Sequence, residues 1–394
     1  DNILQMAALK VGGQIRKILV TGCLSQRYGE QILEELPEVD GVLGCGSYVD
    51  IVDALEEVMA GGTPKYFGSI DAPVDEGDRI LATPEYSAYL RIAEGCDNHC
   101  SYCVIPSLRG KYRSRPMENI VAEAEELARS GVKELIVIAQ DITRYGLDCY
   151  GAHKLPELLR KLCGISGIHW IRLHYLYPDE ITAELIDVVA AEKKILPYLD
   201  IPIQHCSDAV LKAMNRRGDK AYLAELFARL RARIPGLVLR TSIIAGLPYE
   251  DEAAFEELCD FLREQKFERA GVFPYSPEEG TPAAAMENRV DEEEANRRVE
   301  LLVDLQSRVM DEFNESWLGD TVEILCEGFD GQAQMYVGRS YADSPDVDGH
   351  VYFTAEEDLV PGAFVPVRIT GSMDGDMTGE AVQIGSMSDL RKIP

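Results

Sequence analysis

The chain has 394 residues, with 68 acidic and 39 basic side chains, so its net charge at neutral pH is −29. This length predicts two or three domains. The sequence contains no run of about 18 uncharged apolar residues, which excludes a membrane-spanning helix. The negative charge argues against a phosphate-coated nucleic acid as partner and favours a basic protein, with acidity that only maintains solubility as the simpler alternative.

The first residues carry no signal pattern for secretion, so the expected location is the cytoplasm. The chain contains ten cysteines. Without a secretion signal, these are interpreted as metal ligands and buried thiols rather than as a disulfide framework.

The amino-terminal segment predicts half of a small α/β domain. Residues 17–23 form the apolar run of a buried strand that enters a turn, and residues 31–36 are typical of a helix. A second strand at 41–44 and a helix at 48–59 complete the alternation. Residues 61–84 are rich in glycine and proline and predict a linker.

Six apolar, strand-like runs alternate with helical segments in the middle of the chain. They occupy residues 88–93, 134–139, 168–176, 198–203, 237–245 and 270–275. Six strand–helix units predict a parallel sheet that curls toward a barrel, and the loops at the carboxyl ends of such strands hold the active site in barrel enzymes. A charged helix at 291–313 closes this domain.

The carboxyl-terminal segment alternates short β-type runs with turns, at residues 321–325, 334–337, 350–353 and 364–369. Many short strands in so short a segment predict a small antiparallel barrel. From Ser316 onward, fourteen Asp and Glu residues stand against four Lys and Arg residues, so this module is itself acidic.

Three cysteines follow the first of the six strands at spacings of four and three residues: Cys96, Cys100 and Cys103. Thiolates this close together bind one soft metal centre. On a four-iron cluster, three thiolates leave one iron open to a cofactor or substrate. A structural zinc site would normally close its fourth position, and His99 lies between the thiols rather than at the spacing of a second ligand pair. The spacing favours an iron–sulfur cluster, with zinc or packing cysteines as the alternatives.

The pattern Cys-x-x-x-Cys-x-aromatic-Cys after a first barrel strand resembles the signature of the radical S-adenosylmethionine (SAM) superfamily. The resemblance implies that the open iron chelates the amino and carboxylate groups of SAM. One electron from the cluster would then cleave the sulfonium to give methionine and a deoxyadenosyl radical. Tyr102 holds the position of the aromatic residue beside the adenine, with a buried loop aromatic as the alternative.

Further segments, spread over nearly the whole chain, resemble the methylthiotransferases of this superfamily. They are residues 21–24, 105–116, 139–146, 204–216 and 275–282. The resemblance implies an α/β protein of three domains. These are a partial methylthiotransferase amino-terminal domain at 1–75, a radical SAM open (β/α)6 partial barrel at 82–314, and a small antiparallel β-barrel of the TRAM type at 315–390.

Methylthiotransferases carry a second four-iron cluster on three cysteines of the amino-terminal domain, and Cys23 aligns with the last of these. We expect the other two upstream of Asp1, so the chain is interpreted as an amino-terminally truncated fragment. Whether the auxiliary cluster forms in it stays open. Cys45 lies between two glycines at no ligand position of the family and is interpreted as a buried or turn thiol.

One branch of this family modifies an adenosine of transfer RNA, and another modifies an aspartate of the twelfth small-subunit ribosomal protein. A nucleic-acid-binding barrel should be basic, whereas this one is acidic. Residues 200–205 and 338–349 also resemble the ribosomal-protein branch. The resemblance therefore implies a basic ribosomal protein, free or within the ribosome, as the substrate, without direct binding of nucleic acid.

The implied reaction inserts a methylthio group at the β-carbon of the target aspartate. The deoxyadenosyl radical abstracts the hydrogen, the auxiliary cluster supplies sulfur, and a second SAM donates the methyl group, while the protein supplies position and excludes water. An electron donor and a sulfur source are further partners, and we expect a monomer. The other hypotheses are a transfer-RNA-modifying enzyme and a non-catalytic fragment that binds the ribosome.

Five residues at predicted strand ends are candidates, beside Tyr102, for contacts with SAM: Gln140, Asp141, Arg172, Gln204 and Gly246. We expect them to face the mouth of the barrel. Each has an alternative as a structural polar group or a turn residue. No residue beyond the cluster ligands is predicted to be catalytic, and no histidine is proposed as a general base.

Overall fold

The computed structural model describes residues 2–74, 76–77 and 79–383. The chain divides into two compact units. The first comprises residues 1–79, 93–99 and 103–115, and the second comprises 80–92, 100–102 and 116–394. Among the described helices, none combines the length and the apolar character that crossing a bilayer requires.

The first unit contains a three-stranded parallel sheet in the order β1-β2-β3. Up to residue 66, its elements are α1 (Asn2–Val11), β1 (Leu19–Thr21), α2 (Cys23–Tyr28), α3 (Gln31–Glu35), β2 (Gly41–Leu43), a 3-10 helix (Cys45–Asp50), α4 (Ile51–Met59) and β3 (Lys65–Tyr66). Apolar side chains of β1, β2 and α3 form its core, with Val20, Ile32 and Val42 buried.

The predicted α/β alternation is confirmed. The predicted linker at 61–84 is corrected, because it contains β3, the third strand of the sheet. A strand of two residues is too short to give an alternating pattern in the sequence. Helix α1 was not predicted.

Strand β4 (Ser87–Arg91) belongs to the second unit and precedes the cysteine segment along the chain. After it, the first unit resumes with β5 (Ala93–Glu94), α5 (Ile105–Arg109) and β6 (Arg113–Ser114), and the two strands pair antiparallel. The segment that carries Cys96 and Cys103 lies between these two strands along the chain.

The second unit is built on a six-stranded parallel sheet in the order β11-β10-β9-β8-β7-β4. The strands after β4 are β7 (Glu134–Ile138), β8 (Trp170–Leu173), β9 (Ile195–Asp200), β10 (Val238–Ala245) and β11 (Arg269–Pro274). Each of the six overlaps a predicted run, although β9 begins three residues before the predicted run at 198–203 and ends at Asp200. The open, partial barrel of parallel strands is thereby confirmed.

Helices connect these strands: α6 (Met117–Arg129), α7 (Leu147–Tyr150), α8 (Leu155–Cys163), α9 (Ala183–Ala191), α10 (Asp208–Ala213), α11 (Lys220–Arg233), α12 (Glu252–Gln265) and α13 (Glu292–Glu315). Short 3-10 helices lie at Pro178–Glu180 and Ala283–Ala285. In α8, leucines at 155, 158, 159 and 162 are buried, which is the spacing of one helical face. Asp219, Asp251 and Asp291 cap the amino termini of α11, α12 and α13 through their side chains.

The last part of the second unit is a closed barrel of five strands in the order β12-β13-β14-β16-β15. The strands are β12 (Thr321–Asp330), β13 (Met335–Arg339), β14 (Val351–Thr354), β15 (Phe364–Met373) and β16 (Asp376–Ala381). The predicted barrel is confirmed with two corrections. Its fifth strand, β16, was not predicted, and β14 pairs with β16 in parallel rather than antiparallel fashion.

Within the second unit, the sheet and the barrel share one apolar core. Trp170 and Tyr198 of the sheet pack in the same cluster as Trp317, Val322 and the rest of the barrel interior. A buried ion network runs through this junction. Glu134 of β7 accepts hydrogen bonds from Arg172 Nε at 3.0 Å and from Arg339 Nη2 of the barrel at 2.7 Å.

Burial alone would raise the pKa of Glu134, but the two guanidinium groups outweigh it and hold the pKa at about 2. Glu134 is therefore an ionised carboxylate that joins the two parts of this unit.

Candidate functional site

The segment that carries the three cysteines begins with a turn that only glycine accommodates. Gly95 has φ of +82°, and a Cβ there would clash with the carbonyl oxygen of Lys111. The backbone N–H of Cys96 donates to the carbonyl oxygen of Gly110 at 3.2 Å. These contacts lie within the first unit and fix the start of the loop.

All ten cysteines lie in the described part of the chain, and none is joined in a disulfide. Cys100 is buried, and Cys96 and Cys103 are half-buried. Within residues 2–74, 76–77 and 79–383, no three His, Cys, Asp or Glu side chains form a ready-made site for a single metal ion. In a four-iron cluster each thiolate binds a different iron, so cluster ligands need not converge on one point.

On the side of the second unit, Cys100 lies against a buried arginine. Its Sγ is 3.8 Å from Arg216 Nη1 and 3.9 Å from the hydroxyl of Tyr177. Arg216 Nη1 donates to the hydroxyl of Tyr102 at 3.0 Å, and Nη2 donates to the carbonyl oxygen of Pro202 at 2.7 Å. The guanidinium also stacks over the Tyr177 ring at 4.6 Å.

This arginine is a cation without a carboxylate partner among the described residues. Burial alone would lower the pKa of Arg216, but Tyr102, Tyr177 and Cys100 raise it above its ordinary value. Burial raises the pKa of Tyr102, so that phenol stays neutral. Arg216 is therefore a permanent cation beside the Cys100 sulfur.

A cavity of about 320 Å³ lies at the carboxyl ends of β10 and β11 and is lined by Tyr102, Gln204, Ser242, Ile244, Phe273, Pro274, Tyr275 and Ser276. The Tyr275 hydroxyl is buried and has no hydrogen-bond partner within the described chain. Buried polar groups of folded proteins are almost always paired, so this hydroxyl is suited to a polar ligand.

Two of the predicted SAM contacts, Tyr102 and Gln204, line this cavity. Gln204 has φ of +68°, and its backbone bonds to β10 on both sides, through N–H to Ser242 at 2.8 Å and through its carbonyl oxygen from Ile244 at 2.9 Å. The backbone is thereby held in place while the side chain faces the cavity.

Gln140 and Asp141 follow the end of β7. The Oε1 atom of Gln140 is buried and makes no hydrogen bond within the described chain, as expected of a group that meets a ligand. Asp141 instead accepts from the backbone N–H of Thr143 at 3.0 Å and from the Thr143 hydroxyl. The carboxylate of Asp141 thus organises its own turn.

The structure corrects the interpretation of Arg172. Its side chain is fully buried, and it donates to Glu134 and to the carbonyl oxygens of Ser340 and Tyr341 in the barrel. All three guanidinium nitrogens are thus engaged at the junction inside the second unit. We therefore remove Arg172 from the candidate cofactor contacts.

The packing around residue 246 also explains why this position is a glycine. Its φ is +83°, and an added Cβ would lie 2.6 Å from the Cβ of Ala295 in α13. Its N–H donates to Oε2 of the buried Glu250 at 2.9 Å. Close packing of α13 accounts for glycine here, and a contact of Gly246 with SAM stays a prediction.

In the first unit, Cys23 is the first residue of α2, and its Sγ accepts a hydrogen bond from Arg109 Nε at 3.1 Å. Arg109 also pairs with Glu94 at 3.5 Å. Cys45, which the sequence left as a buried or turn thiol, is half-buried and begins the 3-10 helix that packs against α2.

Sequence reasoning missed Arg216, Tyr177 and Tyr275 as members of the site. Arg216 and Tyr275 lie in segments that resemble the methylthiotransferases, which was the available signal. Periodicity could not find Arg216, because arginine is normally exposed and nothing in the pattern marks this one as buried.

The comparisons with known proteins agree with this geometry. Residues 90–262 match the Radical SAM superfamily, and residues 318–382 match the TRAM domain. The ribosomal protein uS12 methylthiotransferase RimO of Pelotomaculum thermopropionicum is 50% identical over 387 residues, which cover 96% of this chain and 86% of that protein. RimO of Caldanaerobacter subterraneus subsp. tengcongensis is 48% identical over 381 residues, with the same coverage of 96% and 86%.

Among solved structures, the radical SAM methyltransferase TsrM from Kitasatospora setae, with tryptophan and a SAM analogue bound, has a TM-score of 0.55 to this chain. The match covers 72% of this chain and 60% of that one at 15% identity, so it supports the fold alone. The identity to the two relatives extends over nearly the whole chain, and the chain therefore belongs to the RimO family of ribosomal protein uS12 methylthiotransferases, within the radical SAM superfamily.

Proposed function

We propose that this chain adds a methylthio group to the β-carbon of an aspartate in the small-subunit ribosomal protein uS12. The observation that carries this proposal is the identity of 50% and 48%, over 96% of the chain, to proteins named for that activity. The three-cysteine segment and the cavity at the strand ends supply the groups that such chemistry needs.

Membership of the superfamily implies a four-iron cluster and SAM as cofactors. We propose that Cys96, Cys100 and Cys103 hold the cluster, and that SAM occupies the cavity lined by Tyr102, Gln204 and Tyr275. The donor set fits, because three soft thiols lie within one short segment and Tyr275, which lines the cavity, has a buried hydroxyl without a hydrogen-bond partner in the described chain. When bound, the cluster and SAM together supply the radical that abstracts hydrogen from an unactivated carbon.

The residues around this site would position rather than react. Arg216 holds positive charge beside Cys100 and donates to Tyr102, which fixes the aromatic ring at the cavity wall. Gln140 offers a buried amide oxygen to a donor on the ligand. Gly246 and Asp141 shape the turns at the strand ends. Cys23 is proposed as a ligand of the auxiliary cluster, which supplies sulfur in the family.

The charge of the molecule supports a basic protein substrate. Of the two basic residues in the barrel between 318 and 383, Arg339 and Arg368, the first is buried in the ion network with Glu134. Only Arg368 is left on the surface of the described barrel, against a large excess of Asp and Glu. Such a surface repels phosphate and attracts a basic protein, in the ribosome or alone.

The remaining proposals follow from this assignment. The domains would extend over 1–75, 82–314 and 315–390, as the family resemblance implies. An electron donor and a sulfur source complete the reaction, and the protein would act as a monomer in the cytoplasm, where ribosomal proteins are found.

The test is methylthiolation of uS12 by the full chain. The protein is reconstituted anaerobically with iron and sulfide and incubated with SAM, a low-potential reductant and ribosomal small subunits. Mass spectrometry of uS12 should find one aspartate with a methylthio group in place of hydrogen. Cys100→Ala should abolish this product, whereas Cys259→Ala, which removes a half-buried thiol of the same unit, should not.

Transfer RNA in the same reaction serves as the competing substrate. Methylthioadenosine in the RNA, with unmodified uS12, would contradict the proposed substrate. Formation of deoxyadenosine without either product would contradict the methylthiotransferase assignment while leaving SAM cleavage intact.

A further inference from the structure

Two thiols of the first unit are brought together by the register of its sheet. Strands β1 and β2 run parallel, and Thr21 pairs with Leu43 at their carboxyl ends. Cys23 and Cys45 each lie two residues beyond this pair. Because the partners are in register and the chain turns into a helix after each strand, the two thiols emerge side by side at one edge of the sheet.

The contacts of the side chains agree with this placement. Helix α2, which begins at Cys23, packs against the 3-10 helix that begins at Cys45, and Arg109 Nε donates to the Cys23 sulfur at 3.1 Å. The backbone N–H of Cys45 donates to Gln26 Oε1 at 2.9 Å, which anchors the turn after β2 to helix α2. Both thiols are half-buried and neither is in a disulfide.

We propose that Cys23 and Cys45 form a redox-active dithiol that closes to a disulfide when a low-molecular-weight disulfide, such as oxidised glutathione, is supplied. Neighbouring strands lie about 4.7–4.9 Å apart, and disulfides span Cα separations of about 4.4–6.8 Å. The paired strand ends at Thr21 and Leu43 therefore lie at a separation that a disulfide spans, and the two thiols follow two residues beyond them.

The chemistry balances as an ordinary thiol–disulfide exchange. One thiol loses its proton and attacks the glutathione disulfide, which forms a mixed disulfide and releases one reduced glutathione. The second thiol loses its proton and attacks the protein sulfur of the mixed disulfide. The sulfur–sulfur bond between Cys23 and Cys45 forms, a second reduced glutathione leaves, and two electrons have passed from the protein thiols to the oxidant.

One consequence rests on the proposed function. Cys23 is the residue that we assign to the auxiliary cluster, and a sulfur that is bound in a disulfide cannot ligate iron. Oxidation of the pair and ligation by Cys23 would exclude one another, and reduction would return the ligand. Cys45 would thus give this chain a reversible protecting partner for Cys23.

The test is disulfide mapping on the full chain. The purified, iron-free protein is titrated with mixtures of reduced and oxidised glutathione, the remaining thiols are alkylated, and the protein is digested without reduction. We expect a peptide that joins Cys23 to Cys45, a loss of two alkylatable thiols per chain, and full reversal by dithiothreitol. No joined peptide at any ratio, or Cys23 joined to a different cysteine, would overturn the proposal.

Two variants sharpen the test. In Cys45→Ser, Cys23 should stop at the mixed disulfide with glutathione, because the resolving thiol is missing, whereas Cys259→Ser should close the Cys23–Cys45 pair like the parent chain. A Cys45→Ser chain that still loses two thiols would contradict the pairing. The mapping on the parent chain needs no variant, SAM or ribosomal protein, so its failure is distinguishable from a failure of the methylthiotransferase assignment.

Discussion

Two buried arginine sites of the second unit differ in how their charge is balanced. At the junction of sheet and barrel, Arg172 and Arg339 share Glu134, and Arg339 also pairs with Glu327 at 2.7 Å. Behind Tyr102 of the cavity wall, Arg216 contacts a thiol, two phenols and a carbonyl, and no carboxylate of the described chain pairs with it. At the first site the charges of the arginines are balanced by carboxylates of the chain, whereas at the second site a positive charge has no counter-ion among the described residues.

The difference separates a structural role from a functional one. Removing a charge from water is costly unless a partner compensates for it, so an uncompensated cation has to be accounted for. Its neighbour Arg217 is compensated in the ordinary way, by Asp179 and by Glu180 at 3.1 Å. The charge of Arg216 would be balanced by an anion bound beside it. The thiolates of a cluster or the carboxylate of SAM would provide such an anion.

The largest expected effect is on the cavity side, from Cys100→Ala. With one of three cluster ligands removed, we expect loss of the radical SAM cluster and no deoxyadenosine above background. The fold should persist, because Cys100 contributes no hydrogen bond to the secondary structure. Iron and sulfide content measures the loss of the cluster, the deoxyadenosine yield measures SAM cleavage, and circular dichroism checks that the fold persists. Unchanged deoxyadenosine yield would refute the ligand assignment.

At the junction, Glu134→Ala should act on stability. The substitution leaves the buried Arg172 without a carboxylate and Arg339 with Glu327 alone, and breaking a buried ion pair costs about 3–5 kcal/mol. The urea midpoint of the second unit should fall accordingly. The matched control is Glu184→Ala, which removes the exposed pair with Arg160 and should cost less than about 1 kcal/mol. Equal shifts for the two variants would contradict the role given to Glu134.

Exchanging the neighbouring arginines for methionine tests the charge at the cavity. Arg216→Met should weaken SAM binding or cluster retention by about 10- to 100-fold, because a hydrogen bond from a charged donor contributes about 1.5–3 kcal/mol. Arg217→Met should leave both unchanged. Equilibrium binding of SAM to the reconstituted variants measures the difference. Equal affinities for the two variants would remove Arg216 from the site.

The smallest effect is a pH dependence at the junction. The pKa of Glu134 in the folded protein, about 2, lies below its ordinary value of 4.5. Its contribution to stability is therefore complete above pH 4.5 and is lost as the pH falls toward 2. The difference in unfolding free energy between the parent chain and Glu134→Gln should be constant above this window and shrink within it. A difference that grows on acidification would contradict the ionised state of Glu134.

The sequence predicted the elements that have a strong local pattern. The six sheet strands were found because each is an apolar run of the length that a buried strand requires. Strands β3 and β16 were missed, the first because it has two residues, the second because its polar residues and glycine do not resemble a buried strand. Their pairing depends on distant strands.

The site was predicted where a motif marks it and missed where packing decides. The three cysteines and Tyr102 stand in a recognisable spacing. Arg172 was misassigned because its position near a strand end says nothing of the barrel carbonyls that receive its hydrogen bonds. Arg216 was missed because the sequence does not show which side chains surround it. Its burial without a carboxylate neighbour is visible only in the folded structure.

The central claim is that Cys96, Cys100 and Cys103 hold a cluster with one iron open to SAM. Electron paramagnetic resonance of the reconstituted, anaerobically reduced chain tests it most directly, with Cys23→Ala used to remove any signal of the auxiliary cluster. We predict a reduced four-iron signal whose shape changes when SAM is added. A signal that SAM leaves unchanged, or iron that never forms a four-iron cluster, would contradict the account.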